Sequence, residues 1–125
     1  MTYFFDTGFF YYLFSTRHPE CRALYSSPER KYTNEYALKE LRRIFVERGF
    51  VQADVEDFLS DVRKKCVVLA FPNRNRLASI RISDRSDVPI VLGAMDAKAV
   101  LVTLDRKLAR ECKPYVPSVC LDPSG

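Results

Sequence analysis

Apolar positions fall into two rhythms along this chain. Residues 3–6 open with an unbroken run, Tyr3-Phe4-Phe5, that stops at Asp6. A second run, Ala99-Val100-Leu101-Val102-Thr103, closes two residues before Asp105. A third spans Cys66 to Phe71, ends at Pro72, and is followed by a polar stretch leading to Asp87. Short continuous apolar runs predict strands covered on both faces. Residues 31–33 and 118–121 predict two further strands.

The second rhythm is helical. In Asn34 to Arg48, Leu38, Leu41 and Phe45 recur at i, i+3 and i+7, with Ile44 beside them and charges elsewhere. Asn34 suits the cap and Gly49 the stop. Asp54 to Lys65 predicts another helix, with Asp54 as cap, a stripe of Val55, Phe58, Leu59 and Val62, and Lys64 and Lys65 at its negative end. Residues 9–14 are apolar on every side and predict a buried first helix. The segment 15–31, with Pro19 and Pro28, predicts a short helix between loops. Residues 73–83 predict a basic loop with a short element at 77–82. A helix over 86–97 takes Pro89 in its first turn, where proline is tolerated, and another covers 105–112. Strands alternating with helices define an α/β chain with a mainly parallel sheet, a single domain over residues 1–125.

Composition adjusts this picture little. Apolar residues make up 47% of the 125, enough for a core without staples, and no stretch approaches a membrane span. No secretory leader is visible, so a soluble, cytoplasmic product is expected. The four cysteines form no C-x-x-C pair. With His18 the only histidine, a Cys/His zinc site is not expected. Cys66 and Cys120 lie in apolar runs and read as core thiols. The formal charge is +4, from 20 bases and 16 acids; setting four acids aside in one site leaves 12 against 20, about +8 elsewhere. Such a surface suits a polyanion.

The acids at the strand ends carry the chemistry. In a parallel sheet the C-terminal strand ends line one crevice, where ligands bind. Carboxylates converging there repel each other unless a cation sits among them. Asp6, between two aromatic segments, is either such a ligand or the cap of the helix that follows. Asp105 has the same two readings. Thr103, two residues earlier, has a hydroxyl able to support a neighbouring carboxylate or is simply a β-branched strand residue. Of Asp84 and Asp87, one can cap the next helix and the other is then spare. Glu40 borders the apolar stripe of its helix, facing the sheet edge or pairing with Arg43.

Taken together, these segments resemble a PIN-domain nuclease over nearly the whole chain. F-F-D-T-G at 4–8 resembles the family's first strand and aspartate. T-N-E-Y-A-L-K-E-L at 33–41 resembles the segment whose helical Glu precedes Leu, which selects Glu40, with Glu35 the runner-up. D-R-S-D-V-P-I-V-L-G-A at 84–94 selects Asp87 over Asp84. V-L-V-T-L-D-R-K-L at 100–108 resembles the V-T-x-D motif, the most specific piece, and supplies Thr103 and Asp105. One departure is Gly8, where the family often has Asn. The resemblance implies a three-layer α/β/α fold and a metal-dependent ribonuclease with Asp6, Glu40, Asp87, Asp105 and Thr103 in its site. It also implies kinship with the VapC toxins of toxin–antitoxin pairs, hence an antitoxin partner, and frequent homodimers.

Oxygen-only ligands select Mg²⁺ or Mn²⁺ over Zn²⁺. Arg74, Arg76 and Arg81 are candidates for holding RNA phosphates, or are solvated loop residues. Tyr11 and Tyr12 stack bases or belong to the core or a dimer interface. The aromatic run 9–14 and Tyr25 offer apolar surface for a homodimer. Two other acid-rich folds fit less well: a receiver domain needs an aspartate where Phe71-Pro72 stands, and a haloacid-dehalogenase-like phosphatase needs D-x-D where Gly8 stands. The alternative of a different class is a non-catalytic RNA-binding or protein-interaction module on the same fold.

Overall fold

The computed structural model describes residues 1–124. Its elements follow in the order β1 (Thr2–Phe5), α1 (Thr7–Ser15), α2 (Pro19–Tyr25), β2 (Arg30–Asn34), α3 (Glu35–Glu47), α4 (Gln52–Lys65), β3 (Val67–Leu69), α5 (Val88–Ala97), β4 (Val100–Thr103), α6 (Arg106–Glu111) and β5 (Ser118–Cys120). Two 3₁₀ segments, Arg74–Ser79 and Arg85–Asp87, lie between β3 and α5. All strand pairs are parallel and the sheet order is β3-β2-β1-β4-β5.

Strand periodicity builds the three layers. Successive side chains of a strand point to opposite faces. On β1, Phe5 enters a core with α1, α2, α3 and α4, through Phe9, Phe10, Leu41, Phe45, Leu59 and their neighbours. Phe4 enters the core on the other face, with Val88, Ile90 and Val91 of α5 and Leu108 of α6. On β4, Leu101 and Val102 divide in the same way. The fold is thus three-layer α/β/α around an all-parallel sheet, as the alternation of runs implies.

The aromatic segment 9–14 packs on the chain's own core. Phe9 stacks on Phe5 at 3.9 Å between ring centroids, and Phe10 meets Phe9, Tyr25 and Phe58 edge-on. Phe14 packs on Phe45, Phe50 and Phe58. Fully burying one such ring contributes about 1.5–3 kcal/mol. Tyr25 is buried and donates to Asp61 at 2.8 Å. Phe9, Phe10, Leu13 and Tyr25 are buried in the chain's own core, while Tyr11, Tyr12 and Phe14 pack against it and stay half-buried.

Several expectations change. The run 66–71 yields only a three-residue strand, and β3 is an edge strand rather than one covered on both faces. Val67 and Phe71 are each 54% exposed. Helix α4 starts at Gln52 with Val51 in the cap position and no side-chain cap bond, so Asp54 sits in the first turn instead. The short element in the basic loop spans Arg74–Ser79 and is 3₁₀. All four cysteines are free; Cys21, Cys66 and Cys112 are buried, but Cys120, read as a core thiol, is exposed on the other edge strand. Asn34 caps α3 and Gly49, at φ +74°, follows its C-cap, as the helix pattern implies.

Candidate active site

The strand order places the site. Chain order runs outward from β1 through β2 to β3, then crosses to β4 and β5 on the other side. The crevice between β1 and β4 is therefore the topological switch point, where open α/β sheets bind ligands at the strands' C-terminal ends. Asp6 follows β1 and Asp105 follows β4, and the Asp6 amide still bonds the Val102 carbonyl at 3.4 Å.

A cavity of about 300 Å³ opens there. Its walls include Asp6, Glu40, Asp87, Thr103 and Asp105, with Thr7, Gly8, Tyr12 and Ile44 beside them. Four carboxylates from four separate segments thus line one cavity, and no lysine or arginine lines it.

Each acid has a local reason for its position. Asp6 is both a cap and a pocket residue: one carboxylate oxygen, Oδ1, accepts the Phe9 amide at 2.8 Å. Asp105 Oδ1 accepts the amides of Lys107 and Leu108 at 2.9 and 3.1 Å and caps α6. In both, the other oxygen is not used by the cap. Asp84 and Asp87 divide the work: Asp84 accepts the Ser86 amide and starts the 3₁₀ turn, while Asp87 makes no cap bond. Asp87 is the spare acid, and it lines the cavity. Glu40 takes a 3.4 Å bond from the Tyr36 hydroxyl one turn earlier on α3. Glu35 forms a two-pronged pair with Arg63 at 2.6 and 3.0 Å and lines a different cavity, away from Asp6.

Thr103 is fully buried between the two strand-end acids. Its hydroxyl accepts the Asp105 amide at 3.1 Å and also stabilises the Asp6 carboxylate. Asn34 supports the far wall. It caps α3 through Oδ1 and donates through Nδ2 to the Pro89 carbonyl at 3.0 Å, joining β2 to the first turn of α5 beside Asp87. Gly93 makes that approach possible: a Cβ there would stand 2.6 Å from Asn34 Nδ2 and from the Phe4 ring.

The crowding registers in the titration of these groups. Burial pushes the Asp6 carboxyl up to about 6, against the opposing bonds from Thr103 and Phe9, with Asp105 and Glu40 adding to the rise. Burial pushes Asp87 up to about 7, followed by the charges of Asp84, Asp6, Asp105 and Glu40. Tyr36 is pushed up to about 12, first by burial and then by Glu40. The negative potential extends to Cys21, raised to about 12 by burial and then by Asp6.

The donor set fits a hard divalent cation. It offers carboxylate oxygens and a hydroxyl, and no thiol or imidazole lines the cavity. Among the described residues, no three His, Cys, Asp or Glu side chains are already drawn together around one point. Mg²⁺ needs no such closed cage, since it usually keeps several waters and uses one or two carboxylates plus substrate phosphate.

The proposed phosphate contacts fare differently. Arg76 pairs with Asp96 at 2.8 Å, near the C-terminal end of α5 and about eight residues, ~12 Å of helix, beyond the end that carries Asp87. Arg74 and Arg81 are exposed, and none of the three lines the cavity. Tyr12 does line it, while Tyr11 packs against Phe45 and Phe50. Tyr36 was not singled out by the sequence; its i, i+4 spacing to Glu40 was the available signal.

No protein-family model and no curated protein sequence matches the chain. Solved structures do. The fold is that of the PIN (PilT N-terminus) domains, and its architecture is shared with VapC-containing complexes. VapBC2 from Rickettsia felis, solved bound to a DNA fragment from its promoter, superposes with a TM-score of 0.77 at 17% identity, covering 98% of this chain and 100% of that one. VapBC-1 from nontypeable Haemophilus influenzae gives 0.68 at 18%, covering 96% and 98%. A PilT N-terminus domain protein, SSO1118, from Sulfolobus solfataricus P2 gives 0.55 at 11%, covering 96% and 87%.

Proposed function

We propose that this chain is a divalent-metal-dependent endoribonuclease that hydrolyses RNA phosphodiester bonds. One observation carries the reading: Asp6, Glu40, Asp87 and Asp105 line a single cavity at the sheet's switch point with no cationic side chain among them. Uncompensated carboxylates at a ligand crevice are a cation's place. The shared fold with VapBC complexes supports the same class and adds an antitoxin as partner.

A bound Mg²⁺ or Mn²⁺ would supply charge neutralisation at the scissile phosphate and activation of a water molecule. Asp6 and Asp105 are held by their cap bonds, so the oxygens left over project from fixed backbone. That rigidity gives the orientation a displacement at phosphorus needs. The Thr103 hydroxyl favours the ionised Asp6 carboxylate and offsets part of the rise that burial causes. Glu40 and Asp87 complete the anionic wall from α3 and α5. His18 does not line the cavity, and both its ring nitrogens are engaged: Nδ1 accepts the Cys21 amide and Nε2 bonds the Asp122 carbonyl at 2.6 Å.

The test is incubation of purified protein with a mixed cellular RNA pool in Mn²⁺, in Mg²⁺ and in EDTA. Cleavage with metal, absent in EDTA and in Asp105→Asn, is the expected result. Cleavage that persists in EDTA overturns metal dependence. RNA binding with no cleavage of any RNA favours a non-catalytic module.

No described helix is long and apolar enough to cross a membrane.

A further inference from the structure

Immediately beside the acidic cavity lies a groove of opposite charge. It measures about 340 Å³ and is lined by Arg106, Ala109, Arg110, Lys113, Ser118 and Cys120. Arg106, Arg110 and Lys113 recur at i, i+4 and i+7, so α6 and the turn after it present them along one face. The opposite wall is β5, an edge strand whose outer side pairs with nothing among the described residues. No acid lines the groove, and none of the three cations has an ion-pair partner among the described residues. Glu111, the acid on α6, faces away and accepts the Ser83 amide and hydroxyl at 3.0 and 2.8 Å. Asp122, beyond β5, is held low first by Ser124 and only weakly by Arg106.

Position makes the charge meaningful. Arg106 directly follows Asp105, and Cys120 on the groove's β5 wall feels the charges of both Asp105 and Asp6. From Arg106 to Lys113 the cations extend for about 10 Å. A chain that places its scissile phosphate among the carboxylates meets strong repulsion there and needs compensating charge nearby. Arg106, Arg110 and Lys113 offer such charge together in one groove and outside any described ion pair, whereas Arg76 is paired with Asp96.

We propose that the groove between α6 and β5 is the path of the RNA strand flanking the cleavage point, its phosphates held by Arg106, Arg110 and Lys113. This rests on the ribonuclease reading and assigns its substrate track. Charge complementarity selects a polyanionic backbone over an apolar segment.

The experiment uses Asp6→Asn protein, in which RNA stays uncleaved. Its affinity for a long single-stranded RNA is measured over a range of salt concentrations and compared with the same protein carrying Arg110→Gln and Lys113→Gln. Loss of two phosphate contacts is expected to make the slope of log K against log salt shallower by about 1.4, with affinity down on the order of tenfold at low salt. Arg110→Lys with Lys113→Arg should restore the slope, and Arg74→Gln with Arg81→Gln should leave it unchanged. An unaltered slope in the Arg110→Gln, Lys113→Gln protein, while Asp6→Asn still binds RNA and the unmodified chain still cleaves it, overturns the track and spares the ribonuclease reading. If the unmodified chain neither binds nor cleaves RNA, the ribonuclease reading falls and the track with it. Unchanged RNA binding together with lost binding of polyglutamate marks the groove as an acidic-protein site and overturns the proposal. Thermal melts of all variants establish that these exposed substitutions leave the fold intact.

Discussion

Two concave regions of this molecule are rich in aspartate, and they are built on different terms. One, about 670 Å³, lies among α1, α2 and α4 and holds Asp54, Asp57 and Asp61. Arg17 and Arg22 line the same groove, and Asp61 takes both the Tyr25 hydroxyl and Lys65. The other, about 300 Å³, holds Asp6, Glu40, Asp87 and Asp105 without a basic side chain in its wall. The larger groove sets its acids among basic side chains. The smaller has acids as its only charged lining, and two of its carboxyls, Asp6 and Asp87, rise to about 6 and about 7, burial being the first cause in each. Acid count and cavity size therefore say little about chemistry; the absence of internal compensation says more.

The sharpest test of that contrast is catalytic. Asp6→Asn, Asp87→Asn and Asp105→Asn should each lower RNA cleavage roughly a hundredfold or more, the scale of losing one preorganised electrostatic contact. Asp57→Asn in the larger groove should leave cleavage unchanged. Binding should separate from cleavage, because removing a negative charge weakens repulsion of RNA. Equal losses from both grooves in a cleavage assay would erase the distinction.

Next in size is the scaffold that seats the acids. Gly93→Ala forces a Cβ onto Asn34 and Phe4 at 2.6 Å, so it should destabilise the fold by about 1–3 kcal/mol. Chemical denaturation measures this directly. Cleavage should fall at temperatures where the variant remains folded, since the Asn34–Pro89 bond beside Asp87 is displaced.

A third effect follows from protonation. The raised Asp6 and Asp87 carboxyls make the cation-free folded chain hold protons that the unfolded chain releases above 3.8. Their contribution to stability is present at low pH and is lost as pH rises through about 6 and about 7. Melting in EDTA should therefore decline across that window, and Mg²⁺ or Mn²⁺ should offset the decline by binding the folded state. A shift of roughly 4 °C corresponds to about 1 kcal/mol in a domain near this size. The gain should shrink in Asp87→Asn; an undiminished response in that variant and in Asp6→Asn would place the ion elsewhere.

The smallest expected effect is at Glu35. Its bond to Arg63 is exposed, so Glu35→Gln should change stability by about 0.2–1 kcal/mol and cleavage not at all. Loss of cleavage in that variant would restore Glu35 as a site residue.

Strand ends and helix stripes were legible because both depend on local order. A continuous apolar run ending in an acid specifies Asp6 and Asp105, and the 3.6-residue stripe specifies which face of α3 is buried. Neighbourhood was harder to read. Cys66 to Phe71 has the composition of a central strand, yet pairing leaves β3 at the sheet edge with Val67 exposed, because edge position is decided by which strands it meets. The role of Asp84 against Asp87 turned on a cap bond to Ser86, a geometric event that D-x-x-D spacing permits for either residue. Arg76 looked free because its partner Asp96 lies twenty residues away across α5. Cys120 looked buried because an apolar flank cannot reveal an open strand edge.

The central place of β1 in the sheet has a consequence for biosynthesis. Asp6 is synthesised well before its neighbour strand β4 and the residues Thr103 and Asp105, which lie on the far side of β2, β3 and the intervening helices. No nascent fragment lacking β4 can form the acidic cavity, however well its early helices fold. Assembly of the cavity waits on a contact spanning most of the chain, the kind that folds slowly.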